Sequence, residues 1–152
     1  MAKLTSLKSP AVCRRLTTSR EDLQTIAHDH AAQAPTSGSP LISMLALIYL
    51  IRQFEEKVLD LKEADLVHGP AHVSVGQEAV AAAAAVALRK SDMVGSTHRA
   101  HGHFLAKAFM YYAPEGYSPL RDPVTPAMQT AVNRTLAEIM GLCEGWCGGR
   151  GG

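Results

Sequence analysis

Residues 41–63 read LISMLALIYLIRQFEEKVLDLKE, an apolar run that becomes charged from Arg52 onward. Apolar side chains recur along it at steps of three and four residues, which is the spacing of one helix face. This stripe consists of Leu47, Leu50, Phe54, Val58 and Leu61. The segment predicts one long helix, whose mostly apolar first half we expect to be buried on most sides and to form a partner surface. Because the apolar run is shorter than the roughly 20 residues of a membrane span, we expect no membrane segment.

Three more helices are predicted downstream. Residues 76–88 include an unbroken alanine run, which has a high helix propensity and lets another helix approach closely. Residues 101–109 predict a short helix, and Thr125-Pro126 provides a cap and a first-turn proline for a last one. The apolar stripe of that last helix consists of Met128, Val132, Leu136 and Ile139.

Two segments between these helices have a different character. Residues 92–97 (DMVGST) predict a short extended strand. Residues 110–124 hold three prolines, which interrupt regular structure, so we expect a loop or an insertion there.

Composition limits the class of protein. The chain has 152 residues, of which 47% are hydrophobic and 5% aromatic, and its net charge is +1. That length suits one compact domain, and the balanced charge argues against a nucleic-acid partner or an anionic membrane. Residues 1–20 carry five basic and no acidic side chains, and residues 31–40 contain two prolines among small residues. We expect residues 1–40 to be a basic, disordered leader and linker, and residues 41–152 to be the helical domain.

Five of the seven histidines fall in two short clusters, HGPAH at 68–72 and HRAHGH at 98–103. Both clusters lie at predicted helix boundaries, where functional residues are common, although a single histidine is more often a surface or capping residue. A zinc site is one alternative, but Gly69-Pro70 argues against a regular helix that presents both His68 and His72. The terminal GGRGG is a candidate loop for cradling a phosphate, or a plain glycine tail.

Taken in order, several motifs resemble the N-terminal part of the alpha component of thiamine-diphosphate-dependent 2-oxo acid dehydrogenases. This is the E1 group, which includes the pyruvate, branched-chain 2-oxo acid and acetoin dehydrogenases. The resemblance covers about residues 41–152 except 110–124. The motifs are RQFEE at 52–56, HVSVGQEA at 72–79, DMVGSTHRAHGH at 92–103, AEIMG at 137–141 and CGGRGG at 147–152.

The resemblance implies a fold and a set of site residues. The fold would be mainly α within this chain, with the parallel sheet of the parent α/β thiamine-diphosphate-binding fold mostly beyond its last residue. His98 and Arg99 would contact the cofactor diphosphate, for which a bidentate guanidinium is suited. His72 would lie near the reacting carbon and the substrate carboxylate as a catalytic residue. The helices that carry Arg52, Glu55, Gln77 and Glu78 would be structural.

The resemblance also implies partners. The activity would be oxidative decarboxylation of a 2-oxo acid, pyruvate or a branched-chain one, with acyl transfer to lipoyl. An E1 beta component or the beta half of a fused chain, a lipoyl-bearing E2 component and oligomeric assembly would be required. The family's Mg²⁺ ligands are absent from this chain, so we expect an inactive fragment of a longer protein. Location would be cytoplasmic in a bacterium or the mitochondrial matrix in a eukaryote. The alternatives are a helical subunit-interaction module without catalysis and a His-based metal-binding domain.

Overall fold

The computed structural model describes residues 40–151 and consists of four helices joined by irregular connections. They are α1 (Pro40–Glu63), α2 (Glu78–Ala87), α3 (His101–Tyr112) and α4 (Pro126–Ile139). No strand is present in this part of the chain, which confirms the mainly helical class. The predicted leader and linker lie outside the described residues except for Pro40, and the sheet of the parent fold stays a prediction.

The helix boundaries differ from the predicted ones at two places. α2 begins at Glu78 rather than Gly76, because Gly76 adopts a φ of +87°, a left-handed conformation that cannot continue a helix. α3 continues to Tyr112, so the first residues of the predicted 110–124 loop are helical. By contrast, α4 begins as predicted: Thr125 caps it by accepting a hydrogen bond from Met128 N (3.3 Å), and Pro126 is its first residue.

The strand predicted at 92–97 is wrong. These residues run without regular structure between α2 and α3, and the described part of the chain contains no strand to pair with them. A strand needs a neighbour for its N–H and C=O groups.

The core lies where α1, α2 and α3 meet, with α4 packed on α3. Leu47, Phe54 and Val58 of the predicted stripe are buried, whereas Leu50 is half-buried and Ile51 occupies the centre of the face. The alanine run allows the predicted close packing, with Ala81, Ala82 and Ala85 at most 3% exposed. All four apolar positions predicted for α4 are buried in this core or pack against it.

Within the described chain the first half of α1 is covered on one side only, so its expected burial on most sides against a partner stays a prediction. Leu41, Leu45 and Tyr49 are 71%, 50% and 65% exposed, because α2 and α3 cover only the opposite side of the helix. This apolar face is the predicted partner surface, and its partner stays a prediction. None of the described helices combines the length and apolarity needed to cross a membrane.

Gly102 marks the closest approach of three segments, and its substitution tests the packing. A Cβ atom added there would lie 2.9 Å from Ser74 Oγ and 3.2 Å from Ile51 Cγ2. We expect Gly102→Ala to lower the free energy of unfolding by about 1–2 kcal/mol through overpacking. Urea denaturation measures this, with Gly95→Ala as the control because a Cβ at Gly95 would meet nothing within 4 Å. Equal stability of the two variants would contradict the packing described.

Candidate functional site

The structure brings the two histidine clusters together. His72 lies in the connection between α1 and α2, and His98 lies just before α3. Their ring centroids are 4.9 Å apart with the rings nearly perpendicular, and both residues are exposed. Two imidazoles that are 26 residues apart in sequence therefore share one accessible location.

Arg99 lies at the same location. Its Nη1 donates to Val73 O at 2.8 Å, so the guanidinium is tied to the backbone next to His72. A guanidinium carries five N–H donors in a planar fork. The remaining donors of Arg99 make no hydrogen bond within residues 40–151, and the residue is exposed. The arrangement presents two imidazoles and a cationic fork to solvent, which suits an anionic ligand.

A buried carboxylate holds both cluster segments in place. Glu55, on α1, is fully buried, and its Oε1 accepts from Ser74 N (3.0 Å) and Ser74 Oγ (2.6 Å). Its Oε2 lies 3.0 Å from His101 Nδ1, which must carry the hydrogen because an ionised carboxylate only accepts. Ser74 is two residues from His72, and His101 is two residues from Arg99. Glu55 thus fixes the separation of the two segments.

The hydrogen bonds keep Glu55 ionised despite its burial. Burial by itself raises the pKa of Glu55, but the bonds from His101 and Ser74 outweigh it and hold the pKa below the ordinary value of 4.5. The sequence indicated only a structural helix at this position. Nothing in the spacing of Glu55, Ser74 and His101 signals their contact, because it arises from helix packing.

A second carboxylate connects α1 to the start of α2. Glu78 Oε1 accepts from Arg52 Nε at 2.6 Å and from Gly76 N at 3.0 Å, and the Glu78 side chain is only 5% exposed. The Arg52 hydrogen bond is the main cause of a Glu78 pKa of about 2. The Arg52–Glu78 ion pair joins α1 to α2, which agrees with the structural role inferred from the sequence for these two helices. This ion pair anchors the turn that follows His72.

The metal-site alternative finds no support among residues 40–151, where no three His, Cys, Asp or Glu side chains are grouped to hold a metal ion. His68 lies beside Asp65, with His68 Nδ1 at 3.7 Å from the Asp65 carboxylate, whereas His72 lies beside His98. The two histidines of the first cluster therefore take different partners. The described residues do not fit Mg²⁺ either, which prefers several oxygen ligands.

The glycine-rich loop, residues 141–151, does not form an open phosphate cradle. Its backbone N–H groups at Cys147, Gly149 and Gly151 donate to the carboxylate of Glu138, at 2.7, 3.0 and 2.8 Å. These bonds lower the pKa of Glu138, that from Cys147 N contributing most. The converging N–H groups of the predicted phosphate-binding loop are therefore present, but they bind the carboxylate of Glu138. Both described cysteines, Cys143 and Cys147, are free and exposed in this loop.

Comparison with known proteins connects this geometry to a family. The sequence profile described as "Dehydrogenase E1 component" matches residues 47–113, which include His72, His98 and Arg99. The chain is 33% identical over 102 residues to the alpha subunit of acetoin:2,6-dichlorophenolindophenol oxidoreductase from Bacillus subtilis, covering 67% of this chain and 24% of that protein. The corresponding subunit from Cupriavidus necator is 30% identical over 127 residues, which is 83% of this chain and 32% of the relative.

A third relative has a different activity in its name. The mitochondrial pyruvate dehydrogenase E1 component subunit alpha of Saccharomyces cerevisiae is 32% identical over 117 residues, or 77% of this chain and 23% of the relative. The matches span about a quarter to a third of these relatives' own lengths. No solved structure matches the chain. The profile and the alpha-subunit relatives lead to one conclusion: this chain belongs to the dehydrogenase E1 component family and is related to its alpha subunits.

Proposed function

We propose that the chain is the alpha-type portion of a thiamine-diphosphate-dependent E1 component that oxidatively decarboxylates a 2-oxo acid, pyruvate or a branched-chain one, and transfers the acyl group to lipoyl. The observation that carries the proposal is the exposed group of His72, His98 and Arg99, held together by buried Glu55. The alternative of an interaction module without catalysis gains no support from these relatives, which are named as subunits of enzymes.

Arg99 and His98 would hold the cofactor diphosphate. The free donors of the Arg99 guanidinium can form parallel hydrogen bonds to two diphosphate oxygens, while the bond from Nη1 to Val73 O keeps the fork in one orientation. His98 lies next to it in sequence and is exposed. When bound, thiamine diphosphate supplies the nucleophilic carbon for attack on the 2-oxo group. The donor set present fits a diphosphate, whereas Mg²⁺ would need ligands from outside residues 40–151.

His72 would act on the substrate side of the same site. Its ring packs edge to face with His98, so it lies close to the diphosphate side and has a polar edge for another anion. An imidazole donor there can bind the substrate carboxylate or stabilise an alkoxide as charge develops on the former carbonyl oxygen. A beta-type subunit, or the beta half of a fused chain, and a lipoyl-bearing E2 would complete the oligomeric assembly. Its location would be cytoplasmic in a bacterium or the mitochondrial matrix in a eukaryote.

Pyrophosphate provides a direct test of the diphosphate contact. In a ¹⁵N-labelled sample of this chain, pyrophosphate is expected to shift the amide signals of His98 and Arg99. Because one guanidinium–oxyanion contact is lost, Arg99→Ala should weaken this binding about tenfold or more. Arg121→Ala is the matched control, since it removes the same charge from an exposed position between α3 and α4. Saturable binding that is unchanged in Arg99→Ala would count against the proposed cofactor contact.

The activity itself is tested on the native assembly. A tagged copy of the chain, purified from its own cells with the subunits that assemble on it, should accompany thiamine-diphosphate-dependent reduction of dichlorophenolindophenol by pyruvate or a branched-chain 2-oxo acid. Turnover of acetoin but of neither 2-oxo acid would refute the proposed substrate class. No cofactor-dependent turnover with any of the three would refute the enzymatic proposal.

A further inference from the structure

The glycine-rich loop is arranged around a single side chain. Both oxygens of the Glu138 carboxylate accept from the loop backbone, Oε2 from Cys147 N and Gly149 N and Oε1 from Gly151 N. These three donors belong to alternate residues of the loop, and backbone N–H groups that converge in this way form a nest, a geometry that binds anions. Gly149 reaches it with a φ of +70°, which a residue with a side chain adopts only with strain. The anion in this nest belongs to the protein itself.

The loop also packs against α4 too closely for the nest to be a chance contact. A Cβ on Gly145 would clash with Glu138, lying 2.6 Å from its Cα, and a Cβ on Gly149 would clash with the backbone of Gly141. Both glycines therefore permit a backbone-to-backbone approach that no other residue allows. The seating of the loop on the end of α4 is what places its N–H groups around Glu138.

A second set of contacts holds the loop on its other side. Arg134, one helical turn before Glu138, donates to the carbonyl oxygens of Glu144 (3.2 Å) and Gly145 (3.3 Å). Its guanidinium also lies 4.3 Å from the ring centroid of Trp146, whose Nε1 donates to Thr135 Oγ1 at 3.1 Å. Arg134 thus binds carbonyl groups of the loop while Glu138 binds N–H groups. The cation of Arg134 and the anion of Glu138, both on α4, thus satisfy the C=O and the N–H groups of the loop, respectively.

We propose that Glu138 is the internal anion of an anion-binding nest, that it fixes the glycine-rich loop on α4, and that it keeps the nest closed to external phosphate groups. Glu138 is then a positioning residue for the loop. The inference goes beyond the proposed function, because it holds whether or not the chain binds thiamine diphosphate. On this inference the loop N–H groups fix the conformation of the loop, and a diphosphate is bound by other groups, such as His98 and Arg99.

Hydrogen exchange followed by NMR tests the positioning role. The Gly149 and Gly151 amides should be protected in the unaltered chain. In Glu138→Gln a single amide oxygen replaces two carboxylate oxygens, so either Gly151 N alone or both Cys147 N and Gly149 N lose their acceptor, and the remaining bonds lose the charge assistance. We expect exchange of these amides to become about tenfold faster or more. Glu144→Gln is the matched control, since it removes a charge from the same loop where no N–H of residues 147–151 donates to it.

A pyrophosphate titration tests whether the nest is closed. We expect no saturable shift of the Gly149 and Gly151 amides in the unaltered chain, and a saturable shift in Glu138→Ala, where the nest lacks its anion. Fluorescence of Trp146, the single tryptophan, reports whether each variant keeps the loop environment. The Gly149 and Gly151 amides report on the nest, whereas the His98 and Arg99 amides report on the proposed cofactor contact. One titration therefore tests this inference and the proposed function separately.

Several results would overturn the inference. Glu138→Gln could exchange like the unaltered chain, or a folded Glu138→Ala could bind no pyrophosphate at these amides. If both variants failed to fold, amide exchange and the pyrophosphate titration of the unaltered chain would still test the inference. Unprotected Gly149 and Gly151 amides, or their saturable shift with pyrophosphate, would show that Glu138 does not close the nest.

Discussion

Replacing Glu55 by alanine is expected to lower the free energy of unfolding by about 3–5 kcal/mol, because it removes the acceptor of three hydrogen bonds in a buried site. Ser74 N and Ser74 Oγ would each lose a partner in a buried position, and the partly buried His101 Nδ1 would lose its acceptor as well. The two segments that carry His72 and Arg99 would no longer share an anchor. Urea denaturation measures the stability loss, and the perturbed amide signals of His72 and Arg99 measure the loss of site geometry.

Two matched variants separate the charge of Glu55 from its shape. Glu55→Gln keeps the volume but supplies one acceptor oxygen instead of two, so it should cost less than Glu55→Ala and still disturb either Ser74 or His101. Glu56→Ala removes the neighbouring carboxylate, which is exposed and accepts only from Gln53, and should leave stability almost unchanged. If Glu55→Ala cost no more than Glu56→Ala, the buried network would not anchor the site.

The stability contributed by Glu55 should depend on pH in a definite direction. Its pKa in the folded chain lies below the ordinary value of 4.5, so the folded state binds the proton less readily than the unfolded state. The contribution is therefore complete well above pH 4.5 and is lost as the pH falls through the lower, folded-state pKa. The stability difference between the unaltered chain and Glu55→Ala should narrow over that range.

Removing the cation of the second ion pair is expected to have the next largest effect. Arg52→Met leaves the Glu78 carboxylate, which is 5% exposed, without its partner. We expect a loss of stability at neutral pH that is smaller than that of Glu55→Ala, because Arg52 itself reaches solvent and its ion pair is partly screened. The measurement is again urea denaturation, with Lys57→Met as the control because the Lys57 ion pair with Asp60 is exposed on both sides.

The pH dependence of this loss identifies its cause. Glu78 has a pKa of about 2 in the folded chain against an ordinary 4.5, so its ion pair stabilises the fold fully above pH 4.5. The effect of Arg52→Met should shrink as the pH falls from 4.5 towards 2, where Glu78 becomes protonated in both states. A loss of constant size across that range would instead indicate packing of the Arg52 alkyl chain.

Periodicity and capping predicted the helices because they are local properties. Thr125-Pro126 begins α4 as predicted, since a cap and a first-turn proline act on adjacent backbone groups. The surroundings of a segment are not a local property. Whether residues 92–97 pair as a strand depends on a neighbour, and whether the first half of α1 is covered depends on the reach of α2 and α3.

The site shows the same division between sequence and structure. By itself the sequence indicated the mainly helical class, from local spacing, and the family, from motifs in order, and the family resemblance named the candidates His72, His98 and Arg99. Only the tertiary structure decided that buried Glu55 joins Ser74 to His101 and that Glu138 fills the nest of the glycine-rich loop. Glu55 is 19 and 46 residues from its partners, and Glu138 binds N–H groups that any residue but proline carries. Such contacts leave no mark on spacing or composition, since packing alone brings the atoms together.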